Sequence, residues 1–173
     1  MVARWKPVHL GHAAVLEALL ERAGEVLVGL GSANRYDARN PFTPEESAAM
    51  IRAVIGEPVH VRLVEVPDLG NPRRWRALVE ERFGPLDLFV TANPGVRDLL
   101  RPAYAVAHPV WLVPEERRVA VDGTMVRRAM AAGEDWRRLV PPEVAALVDE
   151  RGLLERFRRE FGRATLALPG RDP

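Results

Sequence analysis

The stretch Ala3-Arg4-Trp5-Lys6-Pro7-Val8-His9-Leu10-Gly11-His12 runs straight into the apolar pattern Ala14, Val15, Leu16, Leu19 and Leu20. It reads as a strand exit, a tight loop and the mouth of an amphipathic helix. His9 and His12 stand three residues apart, a spacing that puts both imidazoles on one helical face. The free N–H groups and positive dipole end of a helix N-terminus favour a phosphate, and Gly11 lets backbone approach a ligand closely. A lone histidine pair serves equally as a structural element or half of a zinc site. No Asp, Glu or Cys stands nearby in the sequence to complete a metal shell, so phosphate binding is the better reading.

Outward from this stretch, short Val-rich runs alternate with helical patterns up to about residue 112, as in βαβ units of a parallel sheet. Strands are expected near Val26–Leu30, Val59–Val66, Leu86–Thr91 and Ala105–Leu112, the last broken by Pro109. They read as continuous apolar runs, as they should when helices cover both faces of a doubly wound sheet. Helices are expected near His12–Arg22, Pro44–Ile55, Arg73–Arg82 and Val96–Leu100, the second announced by a cap and capping box in Thr43-Pro44-Glu45-Glu46. Beyond the sheet the pattern is wholly helical: Thr124–Ala132, Glu143–Arg151 and Leu154–Phe161. This makes one domain over residues 1–161, an α/β core to 112 and a helical extension over 113–161, with a polar tail over 162–173. Only Met1, Val2 and Ala3 precede the phosphate loop as a first strand. Either that strand is unusually short or the natural chain starts upstream.

A chain of 173 residues is long enough to bury a core of its own. Its 25 Lys and Arg nearly cancel its 24 Asp and Glu, so there is no global field for nucleic acid or an acidic membrane, and any anion site must be local. Lys6 is the only lysine. Cysteine is absent, which excludes disulfides, thiolate metal sites and thiol nucleophiles. No apolar run approaches the roughly 20 residues of a membrane span, and the start lacks a signal-peptide pattern. A cytoplasmic protein is expected.

A second helix mouth lies in Val121-Asp122-Gly123-Thr124-Met125-Val126-Arg127-Arg128. Asp122 can cap the helix, Thr124 offers a hydroxyl, and Arg127, one turn in, carries a fork suited to phosphate oxygens. The plainer alternative is an ordinary cap ahead of a solvated basic helix.

Together with Gly29-Leu30-Gly31-Ser32-Ala33-Asn34, Asn40-Pro41-Phe42-Thr43, Ala92-Asn93-Pro94, the spacing of Asp68 to Trp75, and Trp136-Arg137-Arg138-Leu139-Val140-Pro141, these two segments resemble the archaeal-type nicotinamide mononucleotide adenylyltransferases of the H-x-G-H nucleotidyltransferase superfamily. That family reads G-R-F-Q-P-F-H-x-G-H, G-S-A-Q, N-P-F-T-x-x-E-R, S-G-N-P, S-G-T-x-[IV]-R and W-x-x-L-V-P, and this chain supplies each landmark in order. The resemblance implies a Rossmann-like doubly wound parallel sheet of about five strands, with the nucleotide across its carboxyl edge. It implies adenylyl transfer from ATP, with Mg²⁺, to nicotinamide or nicotinate mononucleotide, releasing pyrophosphate. His9, His12 and Arg127 would be the catalytic groups, and Arg4, Lys6, Gly11, Gly123 and Thr124 would hold ATP. Ser32, Asp68, Asn71, Trp75 and Asn93 would line the acceptor pocket, Trp75 stacking on the nicotinamide ring. No protein side chain is assigned to the metal, neither nucleic acid nor membrane is expected as a partner, and a homo-oligomer is expected from the resemblance alone.

The chain departs from the pattern at several positions. Ser47 stands in place of a phosphate-gripping arginine, for which Arg35 or Arg39 could substitute, and Asp122 in place of serine. Ala3, Lys6 and Gly95 replace glycine, glutamine and an apolar residue, while Asn71 lies four residues before Trp75 where the family's asparagine lies three before, a slot held here by Pro72. Trp75 also reads as a helix core residue packing with Leu78 and Val79, and Trp5 shares that ambiguity. Two rival readings follow: a related nucleotidyltransferase with another phosphorylated acceptor or CTP as donor, and a weakened nucleotide sensor.

Overall fold

A computed structural model describes residues 1–169. β1 (Val2–Ala3) leads through the histidine loop to α1 (Leu10–Leu20), and β2 (Val26–Gly31), α2 (Pro44–Ile55), β3 (Val61–Val66) and α3 (Pro72–Phe83) follow in strict alternation. β4 (Phe89–Val90), α4 (Pro94–Leu100) and β5 (Val106–Ala107) complete the sheet region. The three strands β1-β2-β3 pair in parallel in that order, and β4 pairs in parallel with β5. The five strands therefore hydrogen-bond as a group of three and a group of two.

Every residue of β2 is buried, and alternate side chains enter different cores. Val26, Val28 and Leu30 join Trp5, Met50, Ile51, Val126 and Phe157 on one side. Leu27 joins Val66, Val79, Phe83, Phe89 and Leu100 on the other. That division is what helices on both faces impose on a central strand. The expected continuous burial fails at β3, the outer strand of its group, where Arg62 and Glu65 are exposed. The strand also begins later than expected, because Val61 N donates to Pro58 O at 3.0 Å and closes a turn that leaves Val59 in solvent. The long fourth apolar run likewise yields only Val106–Ala107. Pro109 opens a 3₁₀ turn, Pro109–Trp111, capped by His108.

The helix starts follow local chemistry. Thr43 Oγ1 accepts from Glu46 N at 3.2 Å while Glu46 Oε2 accepts from Thr43 N at 2.9 Å, the reciprocal pair expected of the capping box. After two 3₁₀ turns come α5 (Gly123–Ala132) and α6 (Pro142–Glu150). α7 (Leu153–Phe157) then passes through a π turn, Arg158–Gly162, into α8 (Arg163–Ala167). The expected polar tail from residue 162 is thus helical as far as Ala167, anchored by Thr165, which is 2 % exposed. Residues 170–173 lie outside the described residues. Among the described residues, no helix is long and apolar enough to cross a membrane.

Candidate active site

The candidate residues gather where parallel strands end: Arg4 follows β1, Ser32 follows β2, Asp68 lies just past β3 and Asn93 past β4. This is the crevice in which open α/β sheets bind ligands. Among the described residues, the two non-glycine residues with positive φ are Trp5 at 53° and Ser32 at 52°, both at these exits. Such backbone costs roughly 1–3 kcal/mol and is held only where surrounding structure fixes it. Trp5 is fixed by complete burial and by its Nε1 donating to Gly29 O at 2.8 Å, so it is a core residue.

His9 caps α1. Its Nδ1 accepts from His12 N at 3.3 Å, so the proton of the neutral ring sits on Nε2. The two imidazoles stack with centroids 3.7 Å apart, and the Trp5 ring lies 4.5 Å from that of His12. His9 is only 7 % exposed. Burial pushes it down to about 4; Asp122 pulls it back upward and Arg127 lowers it further. Burial, reinforced by His9, also holds His12 well below the ordinary imidazole range, against the opposing pull of the Pro7 backbone. Both rings are therefore neutral at pH 7. His12 Nδ1 is buried without a hydrogen bond of good geometry.

The second helix mouth meets the first. Asp122 Oδ1 accepts from Met125 N at 2.8 Å and caps α5. Arg127, 3 % exposed, bridges the two segments: Nη1 donates to Lys6 O at 3.0 Å and Nη2 to Thr124 Oγ1 at 3.1 Å. The two glycines leave room for this approach. A Cβ on Gly123 would lie 2.9 Å from Arg127 Nη1, and one on Gly11 would lie 3.2 Å from Val121 O. The paired imidazoles and the Thr124/Arg127 mouth thus lie on adjoining segments of the fold.

Lys6 turns the other way. Its Nζ donates to Ser32 O at 2.9 Å and Arg35 O at 3.3 Å, joining the histidine loop to the loop after β2. Burial lowers its pKa to about 8; Asp37 and Asp68 oppose that shift, and Arg4 adds to it. Asp68 ties the neighbouring exits together. Ser32 Oγ donates to its Oδ1 at 3.2 Å, Arg35 Nε lies 3.5 Å from Oδ2, and Asn34 exchanges bonds of 2.9 and 2.7 Å with its backbone.

Asn71 and Asn93 spend their Oδ1 atoms capping α3 and α4, accepting from Arg74 N at 3.0 Å and Val96 N at 3.1 Å. Trp75, half-buried in the first turn of α3, packs against the core that holds Val79 and Phe83. Ser47 is fully buried, and its Oγ has no partner. Arg35 is engaged with Asp68. Sequence reading missed Arg156 of α7, which pairs with Glu46 (Nη2 to Oε2, 2.8 Å) and donates to Pro41 O at 3.2 Å. It also missed Tyr36, whose hydroxyl donates to Glu160 at 2.5 Å. No local signal joins residues 110 and 124 positions apart.

Comparison with known proteins places this geometry. Residues 2–129 match the family model described as cytidylyltransferase-like. The nicotinamide-nucleotide adenylyltransferase of Methanocorpusculum labreanum is 36 % identical over 160 residues, covering 91 % of this chain and 94 % of that protein. Its counterpart from Archaeoglobus fulgidus is 34 % identical over 171 residues, covering 94 % and 96 %. Among solved structures, the bifunctional NMN adenylyltransferase/ADP ribose pyrophosphatase of Francisella tularensis superposes with a TM-score of 0.73 at 15 % identity. It covers 96 % of this chain, and the chain spans about half (51 %) of that longer protein, so this likeness speaks for the fold. The chain belongs to the cytidylyltransferase-like family and, within it, to the nicotinamide-nucleotide adenylyltransferases.

Proposed function

We propose that the protein transfers the adenylyl group of ATP to nicotinamide mononucleotide or its nicotinate analogue, forming the dinucleotide and pyrophosphate, as a cytoplasmic homo-oligomer. The observation that carries this reading is the Arg127 bridge. It sets the α1 and α5 mouths side by side, with the loop after β2 held against them by Lys6. One polyphosphate can lie across the two mouths while a second nucleotide lies against Ser32 and Asp68. The Trp75 ring, in the first turn of the helix that follows Asp68, is the surface on which the nicotinamide ring would stack.

The acceptor's phosphate oxygen is already an anion near neutral pH and needs no general base. It attacks the α-phosphorus in line; a new P–O bond forms, the bond to the bridging oxygen of the β-phosphate breaks, and pyrophosphate leaves with that electron pair. The protein's work is positioning and charge stabilisation. His9, neutral with its proton on Nε2, offers a hydrogen bond rather than a fixed charge. The N-termini of α1 and α5 offer backbone donors. Arg4 and Arg127 supply permanent positive charge, and Thr124 a hydroxyl. Among the described residues, no group of three or more His, Asp or Glu is arranged to hold a metal ion. A Mg²⁺ ion carried on the phosphates would neutralise the triphosphate.

The test is pyrophosphate release against a panel of acceptors with ATP and CTP as donors. Release with ATP and a pyridine mononucleotide is expected. Release only with CTP or an unrelated acceptor would reassign the enzyme, and tight ATP binding without turnover would make it a sensor.

A further inference from the structure

The loop between β2 and α2, residues 32–43, is held from two sides. On the active-site side it is fastened by Lys6 and by Asp68. On the far side it meets the helical segment that runs from α7 through the π turn into α8. Tyr36 donates to Glu160 Oε2 at 2.5 Å, and its ring meets Phe161 edge-on at 4.9 Å with the Arg156 guanidinium 5.8 Å from its centroid. Ala38 O accepts from Thr165 at 3.5 Å, and Pro41 O from Arg156 at 3.2 Å.

Glu160 and Phe161, the two residues that grip Tyr36, both lie within the π turn Arg158–Gly162. A π turn widens one helical turn and re-aims the side chains it carries; such turns are rare and often mark functional positions. Here it lets Arg156, Glu160 and Thr165 all reach a single loop. Tyr36 itself is 48 % exposed, so it contributes little to the core. Burial does not explain three kinds of contact converging on a half-exposed side chain.

We infer that Tyr36 and the π turn are a positioning device, through which the C-terminal helix sets the loop bearing Ser32 and Asn34 and so governs affinity for the acceptor nucleotide. The inference rests on the proposed reading of that loop as the acceptor side. The ATP side is built chiefly from other segments, the α1 and α5 mouths, and is tied to this loop through Lys6 Nζ on the Ser32 and Arg35 carbonyls.

The experiment compares the wild-type chain with Tyr36→Ala, which removes the whole docking group, and Tyr36→Phe, which keeps the ring contacts and loses only the bond to Glu160. Steady-state kinetics with ATP and nicotinamide mononucleotide should show the acceptor KM of Tyr36→Ala raised about tenfold. The KM for ATP should stay within about twofold, and Tyr36→Phe should fall between wild type and Tyr36→Ala. A readout that needs no substrate accompanies this: trypsin should cut after Arg35 and Arg39 faster in Tyr36→Ala than in wild type, at unchanged global stability. Equal rises in both KM values, or an acceptor KM that does not move, would overturn the inference, as would unchanged cleavage. Failure of the wild-type chain to use the mononucleotide would instead sink the functional reading beneath it, an outcome visible before any variant is made.

Discussion

Lowering the pH should unfold this protein through its phosphate loop, and His9→Asn should remove a defined part of that sensitivity. Asparagine is among the best N-cap residues, so its Oδ1 can replace the acceptor that His12 N now finds on His9, while the titrating group is deleted. The ordinary imidazole value is 6.5 and burial pushes His9 down to about 4. Above 6.5 both folded and unfolded chains hold a neutral ring and nothing is at stake. Below it the unfolded chain takes up a proton that the folded chain refuses, so stability falls as the pH drops toward 4. Linkage gives a loss of about 2 kcal/mol at pH 5 from this group alone. His12, lowered in the same direction and partly by His9, is relieved when His9 is removed, so the difference between the two proteins can only widen. Urea unfolding at about pH 7.5 and about pH 5 should therefore show wild type losing at least about 2 kcal/mol more than His9→Asn. Asp and Glu titrations, common to both, cancel. Stability curves that stay parallel across that range would refute the claim that His9 is buried and neutral.

Other substitutions test the site from different directions. Arg127→Met keeps bulk but removes both bridging bonds. Turnover should fall by about 10²-fold or more, and denaturant stability by about 1–3 kcal/mol, because Lys6 O and Thr124 lose a buried partner; full activity would show that the bridge is dispensable. Ser47 is fully buried with an unpartnered hydroxyl, so Ser47→Ala should raise the free energy of urea unfolding by about 1 kcal/mol. Restoring the family's residue with Ser47→Arg should instead cost about 1–3 kcal/mol through overpacking. A stable and faster Ser47→Arg enzyme would mean the side chain escapes to the phosphates after all.

What the sequence disclosed is what neighbouring residues decide between themselves. The capping box at Thr43 and Glu46, the Asp122 cap and the apolar run of β2 are all local bargains, and each stands where its pattern places it. The features that escaped depend on what lies across the fold. β3 is half in solvent because it ends its group of strands, and nothing in Val-Arg-Leu-Val-Glu-Val says which neighbour it will lack. The grip of Glu160 on Tyr36 and of Arg156 on Glu46 joins residues with no shared local pattern. For the site itself, residue types and spacing give the helix mouths and their likeness to a family, but not burial. That Lys6 would be spent on the carbonyls of Ser32 and Arg35, rather than left reaching for ATP, follows only from the approach of two loops.

The substitution of aspartate at residue 122 is the departure most at odds with a polyphosphate site, and the structure gives it a consistent account. One carboxylate oxygen is engaged by Met125 N, so the cap that a serine would provide is kept, and the added charge sits near His9, where it opposes the lowering of that imidazole. With the polyphosphate lying across the two helix mouths as proposed, the aspartate would have two opposed effects on ATP: it would repel the phosphates directly, and it would make His9 easier to protonate as they arrive. At neutral pH the second effect is small, since the ring remains more than two pH units above its transition, so repulsion should dominate. Asp122→Ser, which keeps an equally good cap, should then lower the KM for ATP. A single water-screened charge a few ångströms away is worth up to about 1 kcal/mol, or about fivefold. The gain should shrink with added salt, while stability at pH 7 stays within about 0.5 kcal/mol of wild type. Measuring the KM for ATP at low and high ionic strength decides it. A KM that is unchanged or raised in Asp122→Ser would show that the carboxylate assists the bound nucleotide instead of opposing it.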